Sequence, residues 1–158
     1  MNSVSFVRRN HGVGLNEYHL EWCPKYRYNC MRKEYINREV TRLIRRAAEE
    51  HGIIVGKIAV ATDHVHVRAA LPFTMSPSKA LMYLKGRSSY LIFRRFPTFR
   101  KRYPQGSFWS PGKFLRSISE VTLGVVDDYI EKQQMNKLEI TLDENDGMFG
   151  QSTLVNYM

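Results

Sequence analysis

The alternation of apolar and polar residues predicts four strands along the chain. Residues 16–22 alternate with a period of two, as a strand with one buried face does. Residues 53–61 and 64–71 are rich in Val, Ile and Ala on either side of a short polar turn, which predicts two adjacent antiparallel strands. Residues 107–119 predict a fourth strand that is interrupted near Pro111.

Three other segments repeat their apolar residues with the period of a helix. Asn37 is the predicted N-cap of a helix over residues 38–51, and a second helix is predicted over residues 77–96. Thr122 is predicted to cap a last helix that ends near Gln134. The order β-α-β-β-α-β-α predicts an α+β fold, in which an antiparallel sheet of about four to five strands carries helices packed mainly on one face.

The size and composition of the chain are those of one globular domain. It has 158 residues, of which 43% are apolar. We expect a single domain over residues 1–158, with a core at about 15–134 and a C-terminal helix and acidic tail at about 122–158. No run of about 18 apolar residues occurs, which excludes a membrane span. Two cysteines are too few for a disulfide framework, and we expect a reduced, cytoplasmic protein.

The distribution of charge indicates a polyanionic partner. Lys and Arg number 24 against 15 Asp and Glu, for a net charge of +9. Residues 64–119 contain eleven basic residues and no carboxylate, and aromatic residues are interleaved with them, which is typical of nucleic-acid binding. The alternative is that the aromatic residues form the core and the charges a solvated face. The candidate DNA contacts among these cations are Arg68, Lys85, Arg87, Arg94, Arg95 and Lys113.

His64 and His66 are candidates for metal binding. Residues i and i+2 of a strand lie on the same face, about 6.6 Å apart along the chain, so both imidazoles can converge on one ion. The alternative is a pair of surface histidines on an exposed sheet face. Asp63 is expected either to hydrogen-bond a histidine from behind the metal ligands or to cap the turn. His19 has no partner at a matching spacing and is expected to be incidental.

Tyr129 and Gln133 are one turn apart on the last predicted helix, so their side chains stand one above the other. A phenol and an amide oxygen on one helix face suit a metal-assisted phosphotyrosine reaction, in which the amide completes a ligand set and the phenol attacks a phosphodiester. By spacing alone, the alternative of a half-buried tyrosine and a surface glutamine is favoured. Val126 and Ile130 occupy the neighbouring stripe and are expected to anchor the helix to a core.

Five short motifs occur in order along the chain. They are WCPKYR at 22–27, DHVH at 63–66, YLKGRSS at 83–89, the FWS-G-F run at 108–114 and VVDDYIEKQ at 125–133. Together they resemble the single-tyrosine HUH transposases of the smallest bacterial and archaeal insertion sequences, the IS-two-hundred/IS-six-hundred-and-five family. The resemblance covers about residues 15–134. It departs at Thr62, where the family commonly has Pro, at Pro111, where a basic residue is frequent, and at Gly124 in the tyrosine helix.

The resemblance implies a ferredoxin-like HUH nuclease core and a transposase that acts on single-stranded DNA, recognising imperfect hairpins near the ends of its element. It implies a divalent ion, Mg²⁺ or Mn²⁺, held by His64, His66 and Gln133, with Tyr129 as the nucleophile that forms a 5′-phosphotyrosine. It also implies a homodimer in which the tyrosine helix of one subunit completes the histidine site of the other. No nucleotide cofactor is expected, because the chain has no G-x-x-x-x-G-K-[ST] loop.

Three alternatives stay open on the sequence. A domesticated repeat-processing nuclease would use the same chemistry without moving an element. A non-catalytic, basic nucleic-acid-binding module would form no covalent adduct with DNA. A metal-dependent hydrolase would release its product to water and would not depend on Tyr129.

Overall fold

The computed structural model describes residues 7–9, 12–14, 16–118 and 123–142. In chain order the helices and strands are β1 (Val7–Arg9), β2 (Gly12–Gly14), β3 (Glu17–Trp22), α1 (Glu34–Glu50), β4 (Ile54–Val60), β5 (Val65–Ala70), α2 (Pro77–Arg95), β6 (Phe114–Ile118) and α3 (Leu123–Leu142). Short 3₁₀ turns follow β3 and α2, at Lys25–Arg27 and Pro97–Lys101. Among the described helices, none combines the length and the hydropathy that crossing a bilayer requires.

The main sheet has four antiparallel strands in the order β4-β5-β3-β6. The predicted α+β class and the predicted antiparallel pairing of β4 with β5 are therefore confirmed. Strands β1 and β2 form a separate two-stranded sheet that the sequence pattern did not predict. The interruption near Pro111 is also observed, because only a single bridge between Pro24 and Trp109 precedes β6.

Helices α1 and α2 pack on the apolar face of this sheet. Leu20, Val65 and Val67 project from that face and are fully buried. The helical side chains in the same core include Val40, Leu43, Ile44, Leu81, Leu84 and Ile92. Tyr103 and Phe108, which belong to the basic and aromatic segment, are also core residues. For these two, the alternative that the interleaved aromatic residues are structural is correct.

Helix α3 covers the opposite face of the sheet. Val126 and Ile130 pack there with Ala59 and Ile118 in a small apolar cluster, which confirms that they anchor the helix. The prediction of helices mainly on one face thus holds for α1 and α2, while α3 occupies the other. Polar residues surround the cluster and are nevertheless buried: Glu17, His19, Glu21, His66 and Asp127.

The predicted role of Asn37 as an N-cap is wrong. Helix α1 begins at Glu34, so Asn37 lies inside the helix and is buried. Its side-chain amide donates hydrogen bonds to the carbonyl oxygens of Val60 (2.5 Å) and Met31 (3.4 Å). The amide therefore satisfies a carbonyl group in the loop before α1 and another at the end of β4, and the pairing with β4, 23 residues away, leaves no local signal.

The other helix ends agree better with the pattern. The Ser76 hydroxyl accepts a hydrogen bond from the Lys79 backbone N–H (3.2 Å), which caps α2. Helix α3 continues to Leu142, well beyond the end predicted near Gln134, so part of the predicted tail is helical. Thr122, the predicted cap of α3, lies outside the described residues, as does the tail after 142.

A partly buried guanidinium connects α3 to the sheet. Arg68 on β5 donates hydrogen bonds from Nη1 to Glu17 on β3 (3.0 Å) and from Nε to Asp127 on α3 (2.6 Å). The register of β4 with β5 shifts at Gly56, where a Cβ atom would lie 2.6 Å from the guanidinium carbon. Glycine at this position therefore makes room for the side chain that holds α3.

The substitution Gly56→Ala should loosen α3, because its methyl group displaces Arg68 from Asp127. We expect amide hydrogen exchange over residues 125–135 to be roughly tenfold faster, measured by mass spectrometry, while exchange in α1 is unchanged. The control is Gly86→Ala in α2, where an added Cβ meets no atom within 4 Å. It should stabilise the protein by up to about 1 kcal/mol and leave α3 unaffected. Equal exchange of α3 in Gly56→Ala and the wild type would contradict this role.

Candidate metal and nucleophile site

The candidate site lies where the start of β5 meets α3 on the polar face of the sheet. His66 is on β5 and His64 immediately precedes it, and both side chains are buried. Their ring centroids are 4.8 Å apart, so the i, i+2 spacing does bring the two imidazoles together. The alternative of surface histidines on an exposed sheet face is wrong, because α3 lies over this face.

Both imidazoles are held through Nδ1. His64 Nδ1 is 2.7 Å from Asp63 Oδ1. His66 Nδ1 is 3.2 Å from His19 Nε2 and 3.4 Å from Glu21 Oε2. Among the described residues, Nε2 of His66 has no hydrogen-bond partner although it is fully buried. A buried ring nitrogen without a partner is costly unless another ligand uses its lone pair.

Helix α3 brings its two candidate residues to the histidines of the same chain. The Gln133 amide oxygen is 3.4 Å from His64 Nε2. The Tyr129 ring lies 5.4 Å from the His66 ring and 5.9 Å from the His19 ring, edge-on to both. The four residues on which the sequence argument depended are therefore adjacent in space.

Asp63 orients His64 and is itself held by a cation. Its Oδ2 accepts a hydrogen bond from Arg27 Nη2 (3.3 Å), while Oδ1 faces His64. Burial would raise the pKa of Asp63, but the hydrogen bonds and charges of His64 and Arg27 outweigh it and the pKa lies below its ordinary value. Asp63 thus stays ionised beside the imidazole, which is the geometry of the first of the two roles expected for it.

Burial keeps the inner imidazoles neutral. It lowers the pKa of His66 to about 2, with the charges of His64 and His19 acting in the same direction. Burial, with a smaller effect of Arg116, lowers the pKa of His19 to about 4. Burial also raises the pKa of Glu21, against the opposing charges of His64 and Arg27. At neutral pH the rings of His19 and His66 are therefore neutral and have lone pairs available for a metal ion.

Two overlapping sets of residues could hold an ion. The predicted set is His64, His66 and Gln133. The second set is His19, Glu21 and His66, whose ligand atoms all lie within 4.8 Å of one another. The predicted set accounts for the buried Nε2 of His66, which the contacts at Nδ1 leave without a partner. Two imidazole nitrogens and one amide oxygen also leave coordination positions for phosphate oxygens and water.

His19 is the residue that the sequence reasoning missed, and the expectation that it is incidental is wrong. It stacks on His66 with ring centroids 5.4 Å apart. Glu21 is paired directly with His66 in the β3–β5 register. The signal was present in β3, where His19 and Glu21 alternate with apolar residues and so share one face, but only the pairing with β5 identifies that face as the histidine face.

The six predicted DNA contacts lie in different environments. The Arg68 guanidinium is engaged by two carboxylates and holds α3. Lys85 donates hydrogen bonds to the carbonyl oxygens of Ser110 (2.6 Å) and Gly112 (3.0 Å), and its pKa is lowered, mainly by burial. The remaining four are cations on the surface: Arg87 paired with Glu50, Arg95 with Glu39, Arg94 bonded to Tyr90, and the exposed Lys113.

The family described as "Transposase IS200 like" matches residues 13–133 of the chain. The transposase for insertion sequence element IS200 of Salmonella typhimurium strain LT2 is 29% identical over 117 residues, which are 74% of this chain and 76% of that protein. The ISDra2 transposase TnpA of Deinococcus radiodurans is 30% identical over 117 residues, which are 74% of this chain and 83% of that protein.

Two solved structures are similar to the chain. A crystal structure described as that of a candidate transposase from Deinococcus radiodurans R1 has a TM-score of 0.65 at 26% identity, over 80% of this chain and 97% of that chain. A REP-associated tyrosine transposase bound to a REP hairpin has a TM-score of 0.54 at 12% identity, over 89% of this chain and 77% of that chain. At 12% identity the second likeness shows the fold alone.

Acidification of the metal-free protein should destabilise it. The folded-state pKa values of His19 and His66 lie below the ordinary 6.5, so below that pH the unfolded chain binds more protons. The free energy of unfolding should fall from pH 6.5 to 5.5, with a slope that approaches about 1.4 kcal/mol per pH unit for each histidine. Glu21 acts in the opposite sense closer to pH 4.5.

Urea denaturation in the presence of a chelator measures this profile. The substitution His19→Asn should reduce the slope by the contribution of one histidine, because one of the two histidines can no longer titrate. If the free energy of unfolding stays constant or rises on acidification from pH 6.5 to 5.5, the two imidazoles are not kept neutral in the folded protein.

Proposed function

This chain belongs to the family of IS200-like transposases, and on that premise we propose that it cleaves and rejoins single-stranded DNA through Tyr129. The observation that carries the proposal is the position of α3, which lays Tyr129 beside His66 and Gln133 beside His64. A basic surface and a net charge of +9 suit a DNA partner. We further propose that this partner is a hairpin-marked end of the element that encodes the protein.

The proposed reaction consists of two displacements at phosphorus. The Tyr129 hydroxyl oxygen attacks the scissile phosphate, its bond to phosphorus forms, and the bond from phosphorus to the 3′ oxygen breaks. The phenol loses its proton, and the departing 3′ oxygen is protonated. A 5′-phosphotyrosine and a free 3′-hydroxyl result. In the second displacement the 3′-hydroxyl of another strand attacks the phosphotyrosine and releases the phenol, so the phosphodiester energy is conserved and ATP is not required.

A divalent ion, Mg²⁺ or Mn²⁺, would be held by His64, His66 and Gln133. When bound it supplies a positive charge that polarises the scissile phosphate and stabilises the charge that develops there. Such help is needed because a phenol with an ordinary pKa near 10 is only about 0.1% ionised at pH 7. Asp63 and Glu21 lie at Nδ1 of His64 and His66 respectively, which fixes the orientation of the two rings.

In the described arrangement Tyr129 can serve the histidines of its own chain. Helix α3 packs against β4 and β5 of that chain, through the Val126 and Ile130 cluster and the Arg68–Asp127 ion pair. We therefore propose that the single chain contains a complete set of site residues. The homodimer with a tyrosine helix acting in trans stays a prediction from the family resemblance.

The covalent adduct is the direct test of the nucleophile. Incubation with a single-stranded hairpin oligonucleotide and Mn²⁺ should give a DNA-linked protein band on a denaturing gel. The substitution Tyr129→Phe should abolish that band, because it removes the attacking oxygen and leaves the ring in place. His64→Ala should reduce it by roughly 100-fold or more through loss of the ion.

The control for this experiment is Tyr90→Phe, an exposed tyrosine on α2 outside the site. It should form adduct at the wild-type rate. Adduct from Tyr129→Phe would refute the nucleophile. Cleavage without any adduct would favour the metal-dependent hydrolase, and DNA binding without cleavage would favour the non-catalytic module.

Metal binding can be tested without activity. Mn²⁺ should raise the melting temperature of the wild-type protein, because an ion that binds only the folded state stabilises it. Gln133→Ala and His64→Ala should each remove most of that increase, since each deletes a proposed ligand. Glu21→Gln should weaken Mn²⁺ binding by only about 10- to 100-fold, as expected for a group that orients a ligand.

The two ligand sets predict opposite effects of Glu21→Gln and Gln133→Ala on the rise in melting temperature with Mn²⁺. If Glu21→Gln abolishes the thermal shift and Gln133→Ala leaves it intact, the ion is held by His19, Glu21 and His66 instead. The exposed Gln105, whose amide oxygen bonds Lys25, provides a matched control, since Gln105→Ala should not change the shift.

A further inference from the structure

Two exposed tyrosines lie side by side just after β3. Tyr26 is 60% exposed and Tyr28 is 40% exposed, and their ring centroids are 5.4 Å apart. Tyr28 also contacts the buried Tyr103 at 5.7 Å, so one ring of the pair is supported by the core. We call Tyr26 and Tyr28 the tyrosine platform. Large aromatic side chains exposed together in this way are suited to stacking against another flat group.

The backbone that carries the tyrosine platform has an uncommon conformation. Tyr26 and Arg27 have φ angles of 64° and 51°, in the left-handed region that residues other than glycine seldom adopt. The turn is held by hydrogen bonds from Lys25 N to Phe108 O (2.8 Å) and from Arg27 N to Pro24 O (2.9 Å). This conformation is unfavourable for residues with a side chain and persists because the surrounding contacts require it.

This turn connects the tyrosine platform with the candidate site. Arg27 hydrogen-bonds Asp63 at 3.3 Å, and Asp63 hydrogen-bonds His64 at 2.7 Å. One residue of the turn thus contacts the carboxylate that orients an imidazole, while its neighbour Tyr26 is exposed to solvent. The tyrosine platform is therefore linked to the candidate site through two side-chain contacts.

The surroundings of the tyrosine platform are strongly basic. The hydrogen bond from Lys25 Nζ to Gln105 Oε1 (3.1 Å) joins the loop that carries the platform to the loop after α2. Neither segment, residues 23–33 or residues 96–113, contains a carboxylate. Lys25 lies 5.4 Å from the Tyr26 ring centroid, and Arg102 lies 6.0 Å from that of Tyr28. The cations of the two segments are Lys25, Arg27, Arg32, Lys33, Arg100, Lys101, Arg102 and Lys113.

We propose that the tyrosine platform stacks bases of the single-stranded DNA next to the scissile phosphate, while the surrounding cations contact its backbone. The proposal rests on the proposed function and specifies where the strand runs outside the metal site. Stacking on aromatic rings combined with a basic groove is a general way to bind single strands with little dependence on sequence. Double-stranded DNA offers no free base faces and gains nothing from these rings.

The test is an equilibrium binding measurement with the full chain in the presence of a chelator, which prevents cleavage. Fluorescence anisotropy with a labelled single-stranded oligonucleotide should show binding roughly 5- to 150-fold weaker for Tyr26→Ala than for the wild type. Tyr26→Phe should bind as the wild type does, because the stacking face is kept. The matched control is Tyr35→Ala on α1, since Tyr35 is 58% exposed and lies outside the tyrosine platform, with its ring against Phe96 at 6.4 Å.

Abasic sites in the oligonucleotide distinguish stacking from a structural effect. An abasic site at the stacked position should weaken binding of the wild type and have no further effect on Tyr26→Ala. If Tyr26→Ala binds as Tyr35→Ala does, or if abasic sites cost the variant as much as the wild type, the platform does not stack bases. A wild-type chain that binds no single-stranded DNA at all would instead refute the proposed function.

Discussion

A buried ion pair across the sheet determines where the chemistry of this protein can occur. Arg68 joins β3, through Glu17, to α3, through Asp127. Its guanidinium is only partly exposed and both carboxylates are buried, so loss of the cation would leave two buried charges without their partner. This ion pair and the Val126 and Ile130 cluster together hold α3 on the sheet.

The two faces of the sheet have different roles: one contributes most of the stability, and the other carries the candidate site. The face beneath α1 and α2 is apolar and contributes most of the buried core. The face beneath α3 is polar, and its His19 and His66 are kept neutral by burial, at a cost that increases as the pH falls. A site of this kind is stable because the opposite face supplies the hydrophobic free energy that the polar face does not. A bound ion would add further stabilisation, since it binds only the folded arrangement.

Some basic residues of the chain hold elements of the fold together, and others lie on the surface around the tyrosine platform. Arg87 and Arg95 on α2 pair with Glu50 and Glu39 on α1, so part of the positive charge joins the two helices. Lys85 likewise supports the loop before β6. Arg27 beside the tyrosine platform also pairs with a carboxylate, that of Asp63, but residues 23–33 and 96–113 themselves contain no acidic residue. Net charge alone therefore indicates the class of partner, and the local distribution of carboxylates indicates where it binds.

The sequence by itself determined the features that depend on neighbours in the chain. The alternation in β3, β4 and β5 and the helical period of α2 predicted those elements and their apolar faces, because side-chain direction follows from backbone geometry. The spacing of His64 and His66, and of Tyr129 and Gln133, likewise placed each pair on one face of its element. The family resemblance indicated that the two pairs belong to one site.

Only the tertiary structure decided which faces meet. The role of Asn37 depends on a carbonyl group 23 residues away, and that of His19 on the register between β3 and β5. Arg68, predicted as a DNA contact, proved to hold α3 through a carboxylate 59 residues away. No local pattern encodes such pairings, because they arise from the packing of elements whose separation in sequence is large and whose contacts form only on folding.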